Sequence, residues 1–375
     1  MVSTTEVRVR VQRVVMPHGE VQSWTVLDRD WSVLEPVEAF LAHLQAVECS
    51  PNTVKAYAHD LRDWFEFLDG VGLAWSAVRL EDVGRFVGWL RLPPGVRDGR
   101  VVALPSAGSF CTAATVNRKL SAVSAFYEFH RRHGVEPGDL LVSWRAQTTR
   151  GGSWRPLLAH LGSRPEPRRT VKLRAQRRIP GVLDADQVDA VLRACDRLRD
   201  RLLFMLLADS GLRVGEALGL RHEDIDAAGR LVAVTPRTNS NGARAKSWAR
   251  QVPLPARVVR LYSDYLHTEY GDLDSDYVFV NLWSAPVGQP LHYRSVYDLV
   301  CRLRDRTGIV FGPHTFRHTY ATELLRRKVP VEVVQKLLGH ASIATTSDTY
   351  AHLKVEDARR ALVNAGWLSA PETTR

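Results

Sequence analysis

The stretch PHTFRHTYATELL, residues 313–325, decides how the C-terminal half of this chain is interpreted. On a helix, His314 and Arg317 would lie on one face, about one turn apart. Phe316 and Tyr320 would lie on the opposite face, where their aromatic rings predict burial. One interpretation is an ordinary amphipathic helix with a solvated basic face. The other is a phosphate site, because a guanidinium group donates paired hydrogen bonds to phosphate oxygens.

The composition of the chain limits the classes of protein to which it can belong. Its 375 residues are too many for one compact core and predict two domains. Its 51 Lys and Arg against 41 Asp and Glu leave a net charge of +10, which favours a polyanionic partner. The sequence has no apolar run of about 18 residues, the length that a membrane span needs. Its N-terminus has charges where a signal peptide needs apolar residues. The four cysteines show no disulfide or metal spacing, so we predict a cytoplasmic protein without metal ions.

The spacing of apolar residues predicts a mainly α-helical protein with a small β-hairpin or sheet, an α+β fold. We predict two domains joined by a basic linker, an arrangement that suits a clamp around duplex DNA. The predicted segments are an N-terminal extension at 1–30, a helical domain at 31–137, a basic linker at 138–180, a second domain at 181–362 and a tail at 363–375.

The N-terminal extension is predicted to form a hairpin, because EVRVRVQRVVM (6–16) alternates apolar and polar residues with period two. Two roles are open for it: an edge hairpin packed on the next domain, and an arm that contacts DNA. In the helical domain, Ser50 is a good N-cap and Pro51 suits the first helical position. Gly70 or Gly72 is expected to end that helix.

Basic residues in the helical domain and the linker are candidate DNA contacts. From 164 to 178 the chain has seven Lys and Arg and one Glu, which predicts an extended segment that is too polar to bury. We favour the interpretation that it lies along a phosphate backbone over that of a merely solvated linker. The helix predicted from TAATVNRKL (112–120) carries three further polar residues near its start, where backbone N–H groups also attract phosphate. The candidate contacts are Lys55, Asn117, Arg118, Lys119, Arg168, Arg169, Lys172 and Arg174.

The second domain begins with a helix signal, since Asp184 and Gln187 have the spacing of a capping box. RLLFMLLADSG predicts a buried helix that Gly211 ends. Two short β runs, RLVAVTPRT and RQVPLP, lie on either side of NSNGARAKSWA, which predicts a hairpin with a long tip. Further helices are predicted up to VEDARRALVNAG (355–366).

Three motifs carry a family resemblance: ADSGLRVGEALGL, HTFRHTYATELL and LLGHASIATTSDTYAHL, in this order. Together they resemble the tyrosine recombinases, the phage-integrase family, over most of 180–362. The helical region 34–135 is similar to the core-binding domain of that family. The family pattern of arginine, His-x-x-Arg, histidine and tyrosine matches the residues Arg213, His314, Arg317, His340 and Tyr350.

The resemblance implies a catalytic domain that cleaves and rejoins DNA strands without ATP or metal. Tyr350 would attack the phosphorus, while Arg213 and Arg317 offset the charge of the pentacoordinate state. His314 would be the base and His340 a hydrogen-bond donor to the phosphate. The family usually takes its general acid from a lysine on a β-hairpin. In this chain Lys246 is the candidate, because arginine, including Arg237 after the first strand, is a poor proton donor.

The resemblance also implies partners. They are double-stranded DNA with specific recombination sites, three further copies of the chain in a tetramer on paired sites, and accessory DNA-bending or element-encoded proteins. A monomer away from DNA stays open, as does docking of the C-terminal tail in the same chain or on a neighbour. No cofactor and no membrane are expected.

Two other functions remain as alternatives: relaxation of DNA by a type IB topoisomerase, and DNA binding without catalysis. Taken alone, Arg213 and Glu216 would be an exposed ion pair, and only the joint order of the motifs favours catalysis.

Overall fold

The computed structural model describes residues 9–15, 22–97, 109–135, 142–145, 166–169, 171, 173–174, 181–245 and 248–339. The chain divides between Arg177 and Arg178 into two compact units, called here the N-terminal unit and the C-terminal unit. The division falls inside the segment predicted to be a linker, and the predicted domain boundaries stay predictions. The described residues are mainly helical with small antiparallel sheets, as the apolar spacing predicted.

Helices make the core of the N-terminal unit. They are α1 (Glu35–Ala46), α2 (Pro51–Val71), α3 (Leu80–Arg91) and α4 (Ala113–Arg132). Helix α2 begins as predicted, because the Ser50 hydroxyl accepts a hydrogen bond from the Thr53 N–H at 3.2 Å. It ends at Gly72, whose φ of 66° is the left-handed conformation that glycine adopts without strain. Aromatic rings fill the space between the helices, and Trp64 at the centre is fully buried.

The N-terminal hairpin is packed against these helices. Strand β1 (Arg10–Val15) pairs antiparallel with β2 (Gln22–Leu27), as the alternation predicted. Val9 and Val26 are 3% and 0% exposed and belong to the helical core. The sequence left two roles open for this hairpin. The structure favours the first of them, a hairpin packed on the helical domain.

Part of the predicted linker is paired. Strand β3 (Val142–Arg145) is antiparallel to β4 (Glu166–Arg169). Farther along, Val171 and Leu173 pack against the helical core. The linker was expected to be extended and too polar to bury. The backbone of 166–169 is extended, but its hydrogen bonds are made to another strand, because backbone pairing does not depend on apolar side chains.

The C-terminal unit contains a three-stranded sheet among helices. Its elements are α5 (Ala185–Arg193), α6 (Leu198–Ser210), α7 (Val214–Ala217), β5 (Ile225–Asp226), β6 (Leu231–Val234), β7 (Arg250–Pro253), α8 (Ala256–Tyr265), α9 (Tyr293–Thr307), α10 (Pro313–Arg326) and α11 (Val331–Leu338). Helix α8 continues into a single π-helical turn, Leu266–Tyr270. The sheet order is β5-β6-β7, so the predicted hairpin of β6 and β7 is present with one added strand.

Local signals account for the beginnings and ends of several of these helices. Asp184 and Gln187 form the predicted capping box at the start of α5. Gly211 ends α6 with a φ of 64°, also as predicted. The region 340–375, including the helix predicted at 355–366, lies outside the described residues. Among the helices that the structure describes, none combines the length and apolar composition needed to cross a membrane.

Gly211 supports a stability prediction, because a side chain there meets both a backbone and a packing obstacle. A Cβ on Gly211 would lie 2.4 Å from Cδ1 of Tyr320 and 2.9 Å from Cδ2 of Leu338. Gly308 ends α9 with a φ of 69°, and a Cβ there would meet nothing within 4 Å. We expect Gly308→Ala to lower the free energy of unfolding by about 1 kcal/mol, the cost of the left-handed backbone. Gly211→Ala should lower it by about 3 kcal/mol, since overpacking is added. Urea denaturation of the two variants measures the difference, and equal losses would contradict the packing argument.

Candidate active site

The C-terminal end of α11 is where the predicted catalytic arginines meet. The carbonyl oxygen of Leu338, the last residue of α11, accepts a hydrogen bond from Nη2 of Arg317 at 2.6 Å. The same oxygen accepts one from Nη1 of Arg213 at 3.4 Å. Two residues that are far apart in the sequence thus place their guanidinium groups around one atom. Gly339 then ends the helix in the left-handed conformation, immediately before His340.

Arg317 joins the ends of two helices. Its Nη1 donates to the carbonyl oxygen of Gly211 at 2.7 Å, while Nη2 is bonded to Leu338. The carbonyl end of a helix has a partial negative charge, which a guanidinium group stabilises. Arg317 is only 4% exposed, so it lies between the helices instead of on the solvated face of α10. Arg213 is the N-cap of α7, and its side chain is 22% exposed.

A buried carboxylate, Glu216, holds Arg213 in place together with a second arginine. Oε1 of Glu216 accepts from Nη1 of Arg213 at 2.9 Å, and Oε2 accepts from Nη2 of Arg250 at 2.8 Å. The side chains of Glu216 and Arg250 are 0% and 4% exposed. Nε of Arg250 also donates to the Leu337 carbonyl at 2.7 Å. The exposed ion pair considered for Arg213 and Glu216 is thus a buried network at the end of α11.

This network sets the protonation state of Glu216. Burial alone would raise the pKa of the carboxyl group, but the hydrogen bonds and charge of Arg250, followed by those of Arg213, lower it to about 2. The carboxylate therefore stays ionised at neutral pH and orients both guanidinium groups. Arg250 was not predicted from the sequence, because its partner Glu216 lies 34 residues away and no local pattern joins them. The pair of Arg213 and Glu216 did have a signal in the sequence, because the two residues are three positions apart.

Glu216 supports a prediction on stability and pH. Glu216→Gln removes the charge between two arginines, and breaking a buried ion pair costs about 3–5 kcal/mol at pH 7. A depressed pKa contributes stability above the unfolded value near ~4.3, and this contribution is lost as the pH falls toward the folded value. The wild type should therefore lose about 3 kcal/mol between pH ~4.5 and ~2, a loss that Glu216→Gln lacks. Chemical denaturation at several pH values measures the free energy of unfolding of the wild type and of Glu216→Gln.

The control for this prediction is Glu323→Gln. Glu323 on α10 pairs with Arg327, four residues later, and the side chain of Glu323 is 47% exposed. An exposed pair of this kind contributes at most about 0.5 kcal/mol. A Glu216→Gln variant as stable as Glu323→Gln would show that the buried network does not stabilise the unit.

Helix α10 presents His314 at its first turn and buries an aromatic face. His314 is exposed, next to the N-terminal end of the helix. Phe316 is fully buried, with ring centroids 5.4 Å from Phe204 and 5.6 Å from Phe311. One turn after His314, burial followed by the charges of His314 and Arg317 lowers the pKa of His318. His318 therefore favours the neutral form, which fits a supporting role.

The remaining predicted catalytic residues, Lys246, His340 and Tyr350, lie outside the described residues. Arg237, the other basic residue weighed beside Lys246, is described. Its guanidinium group is bonded to Asp224 at 2.6 Å and to Glu223 at 2.7 Å. These two carboxylates assign Arg237 to an ion-pair cluster near the sheet.

Comparison with known proteins gives the family. A model of the Phage integrase family matches residues 181–357, and a model of the Phage integrase N-terminal SAM-like domain matches 37–134. Transposase A from transposon Tn554 of Staphylococcus aureus is 36% identical over 351 residues, which cover 93% of this chain and 95% of that protein. The chain is a tyrosine recombinase of the phage integrase family. It is therefore an enzyme, a site-specific recombinase that breaks and rejoins DNA strands.

Other tyrosine recombinases resemble this one in sequence and fold. The recombinase XerC of Pelobacter propionicus is 28% identical over 335 residues, 86% of this chain and 92% of that protein. A structure of the Tn1549 transposon integrase with a circular intermediate DNA matches with a TM-score of 0.60 at 17% identity, over 88% of this chain and 99% of that one. A lambda integrase dimer bound to a core site matches with a TM-score of 0.53 at 16% identity, over 84% and 94%. These relatives are named as a transposase, a recombinase and integrases, so the comparison does not favour the alternative of a type IB topoisomerase.

In the N-terminal unit of the recombinase, two predicted DNA contacts lie at the surface with partners of their own. Nζ of Lys55 is 4.6 Å from the centroid of the Trp24 ring, a cation–π contact with the hairpin. Arg118 is paired with Asp60, and its side chain is 53% exposed. The side chain of Asp60 itself is only 4% exposed, whereas the guanidinium group of Arg118 lies at the surface. Contact of Lys55 and Arg118 with DNA stays a prediction.

Two other predicted DNA contacts have partners inside the N-terminal unit. Lys119 is 7% exposed, and its ammonium group is bonded to Asp60 at 3.2 Å and to Asp63 at 2.5 Å. Asn117 uses both ends of its amide on the backbone of Leu173, at 2.9 Å and 2.8 Å. The charge of Lys119 and the amide of Asn117 thus hold the unit together, and a contact of either residue with DNA stays a prediction. A helical position alone did not reveal which side of α4 is buried.

The linker candidates are only partly described. Arg168 and Arg169 lie in strand β4, and Arg174 is exposed. Lys172 lies outside the described residues. Contact of these residues with a phosphate backbone stays a prediction.

Proposed function

We propose that Arg213 and Arg317 hold the scissile phosphate while Tyr350 attacks it. The observation that carries the proposal is the meeting of the two guanidinium groups at the Leu338 carbonyl, two residues before His340. A phosphodiester carries a negative charge that repels nucleophiles, and charge grows on its oxygens in the transition state. Two guanidinium groups would offset that charge from fixed positions, and preorganised charge of this kind is usually the largest single contribution to catalysis.

The proposed reaction conserves the energy of the phosphodiester bond. The phenolic oxygen of Tyr350 forms a bond to phosphorus, and the bond to the 5′ oxygen breaks. The products are a 3′-phosphotyrosine ester and a free 5′-hydroxyl. His314 takes the phenolic proton, which ordinarily leaves near pH ~10, and Lys246 gives a proton to the leaving 5′ oxygen. His340 donates a hydrogen bond to the phosphate. The reverse attack by a hydroxyl rejoins a strand, so neither ATP nor a metal ion is needed.

Trapping of the covalent intermediate tests this function. The purified chain is incubated with nicked duplexes from the ends of its own element, with EDTA and without ATP, so that the short cleaved strand diffuses away. We expect a covalent adduct, and peptide mass spectrometry should find the 3′ phosphate on Tyr350. A phosphate on another residue would contradict the assignment of the nucleophile. Relaxation of plasmids without a cognate site, with no recombinants, would instead support the topoisomerase alternative.

We also infer that the biological role is movement of a transposon, carried out in the cytoplasm. The support is the 36% identity to Transposase A of Tn554 over nearly the whole of both chains. Amplification across joined element ends, in cells with and without the gene, tests the inference. Joined ends that appear equally in both would contradict it. A tetramer on paired sites stays a prediction.

A further inference from the structure

The loop between β6 and β7 is longer than a hairpin needs, yet its first half is held by two buried asparagines. Asn241 is 9% exposed. Its Nδ2 donates to the carbonyl oxygens of Leu218 at 3.0 Å and of Leu291 at 2.9 Å. Its Oδ1 accepts from the Ala243 N–H at 3.0 Å. One side chain thus joins the loop to two separate segments of the C-terminal unit.

Asn239 closes the same segment on itself. It is also 9% exposed, and its Nδ2 donates to the Ala243 carbonyl at 2.9 Å. Its Oδ1 accepts from Nη2 of Arg221 at 3.2 Å. The chain turns at Gly242, whose φ is 71° and whose N–H donates to the Asn239 carbonyl at 3.0 Å. Residues 239–243 therefore form a compact turn that several hydrogen bonds hold.

Two glycines let this turn lie close to the helix that begins at Arg213. A Cβ on Gly219 would be 2.8 Å from Nδ2 of Asn239. A Cβ on Gly215 would be 3.1 Å from the carbonyl oxygen of Arg244. Gly215 belongs to α7, whose N-cap is Arg213. The backbone at 244 is thus in contact with the helix that carries a proposed phosphate-binding arginine.

We propose that Asn239 and Asn241 are positioning residues for general-acid catalysis. They hold the peptide up to Arg244 against the helix that follows Arg213, and Lys246 comes two residues later in the sequence. The inference rests on the proposed role of Lys246. A general acid must come within hydrogen-bond reach of the leaving oxygen, about 2.6–3.2 Å, and a long loop does not ensure this unless its base is held. A displacement of about 1 Å can lower a rate by about 10².

A change of leaving group separates this role from a merely structural one. Replacement of the bridging 5′ oxygen by sulfur gives a thiol leaving group with a pKa near ~8.5, which departs as a thiolate without a general acid. On ordinary DNA we expect Asn241→Ala to cleave about 10²-fold more slowly than the wild type. On the sulfur substrate, Asn241→Ala and Lys246→Ala should both cleave within about threefold of the wild type. The double variant should be no slower than Lys246→Ala on ordinary DNA.

Two further variants complete the experiment. Asn281 bonds loop carbonyls elsewhere in the unit, including that of Pro286 at 3.3 Å, and Asn281→Ala should leave cleavage unchanged. If Asn241→Ala fails to fold, Gly215→Ala takes its place. Alanine favours the helix, so a folded Gly215→Ala protein that cleaves ordinary DNA slowly and the sulfur substrate normally supports the proposal.

Two results would overturn the inference, and a third separates it from the proposed function. Wild-type cleavage of ordinary DNA by Asn241→Ala would overturn it. The inference would also be overturned if Asn241→Ala cleaved both substrates equally slowly while the sulfur substrate restored cleavage by Lys246→Ala. If Lys246→Ala is not restored by sulfur, the role of Lys246 as the acid fails, and the inference falls with it.

Discussion

A Tyr350→Phe variant is expected to bind its DNA as the wild type does and to form no covalent adduct. Phenylalanine keeps the ring and removes only the oxygen that would attack phosphorus, so the loss should be complete and confined to the chemical step. The dissociation constant should change by less than about threefold, or about 0.7 kcal/mol. Gel separation of adducts on a nicked substrate measures cleavage, and fluorescence anisotropy measures binding.

The control for this variant is a second tyrosine. Tyr297 lies on α9 and is 49% exposed, and Tyr297→Phe should cleave normally. Adduct formation by Tyr350→Phe would refute the assignment of the nucleophile. Loss of DNA binding would show that Tyr350 supports the fold or the interface instead of the reaction.

The second large effect is expected at the two arginines. Removal of one preorganised donor to a developing oxyanion costs about 10²–10³ in rate, and a guanidinium group can supply two such donors. Arg213→Ala and Arg317→Ala should therefore each cleave about 10³-fold more slowly. Arg317→Ala should also be less stable, because the buried guanidinium joins the carbonyls of Gly211 and Leu338.

A neutral phosphate analogue separates the two effects. A methylphosphonate at the scissile position has lost the negative charge that the arginines are proposed to offset. Arg213→Ala should regain much of its rate on this substrate relative to the wild type, measured by single-turnover cleavage. Arg257→Ala is the control. The side chain of Arg257 is 52% exposed and pairs with Asp209, and this variant should cleave both substrates normally. Equal defects of Arg213→Ala on both substrates would contradict a role in charge neutralisation.

Much of the secondary structure followed from local patterns. The caps at Ser50, Asp184 and Gly211 were predicted because each depends on side chains or backbone within four residues. The hairpin of β6 and β7 followed from its two β runs. The order of the motifs likewise pointed to Arg213 and Arg317 before their geometry was known.

The sequence by itself determined the helical period, the caps and the residue types of the proposed site, because these depend on neighbours along the chain. Only the tertiary structure decided which polar groups are buried together. It joined Arg250 to Glu216, buried Lys119 beside Asp63, and gave Asn241 partners in two distant segments. The physical reason is that the cost of burying a polar group depends on its partners in space, and these are set by the packing of whole helices.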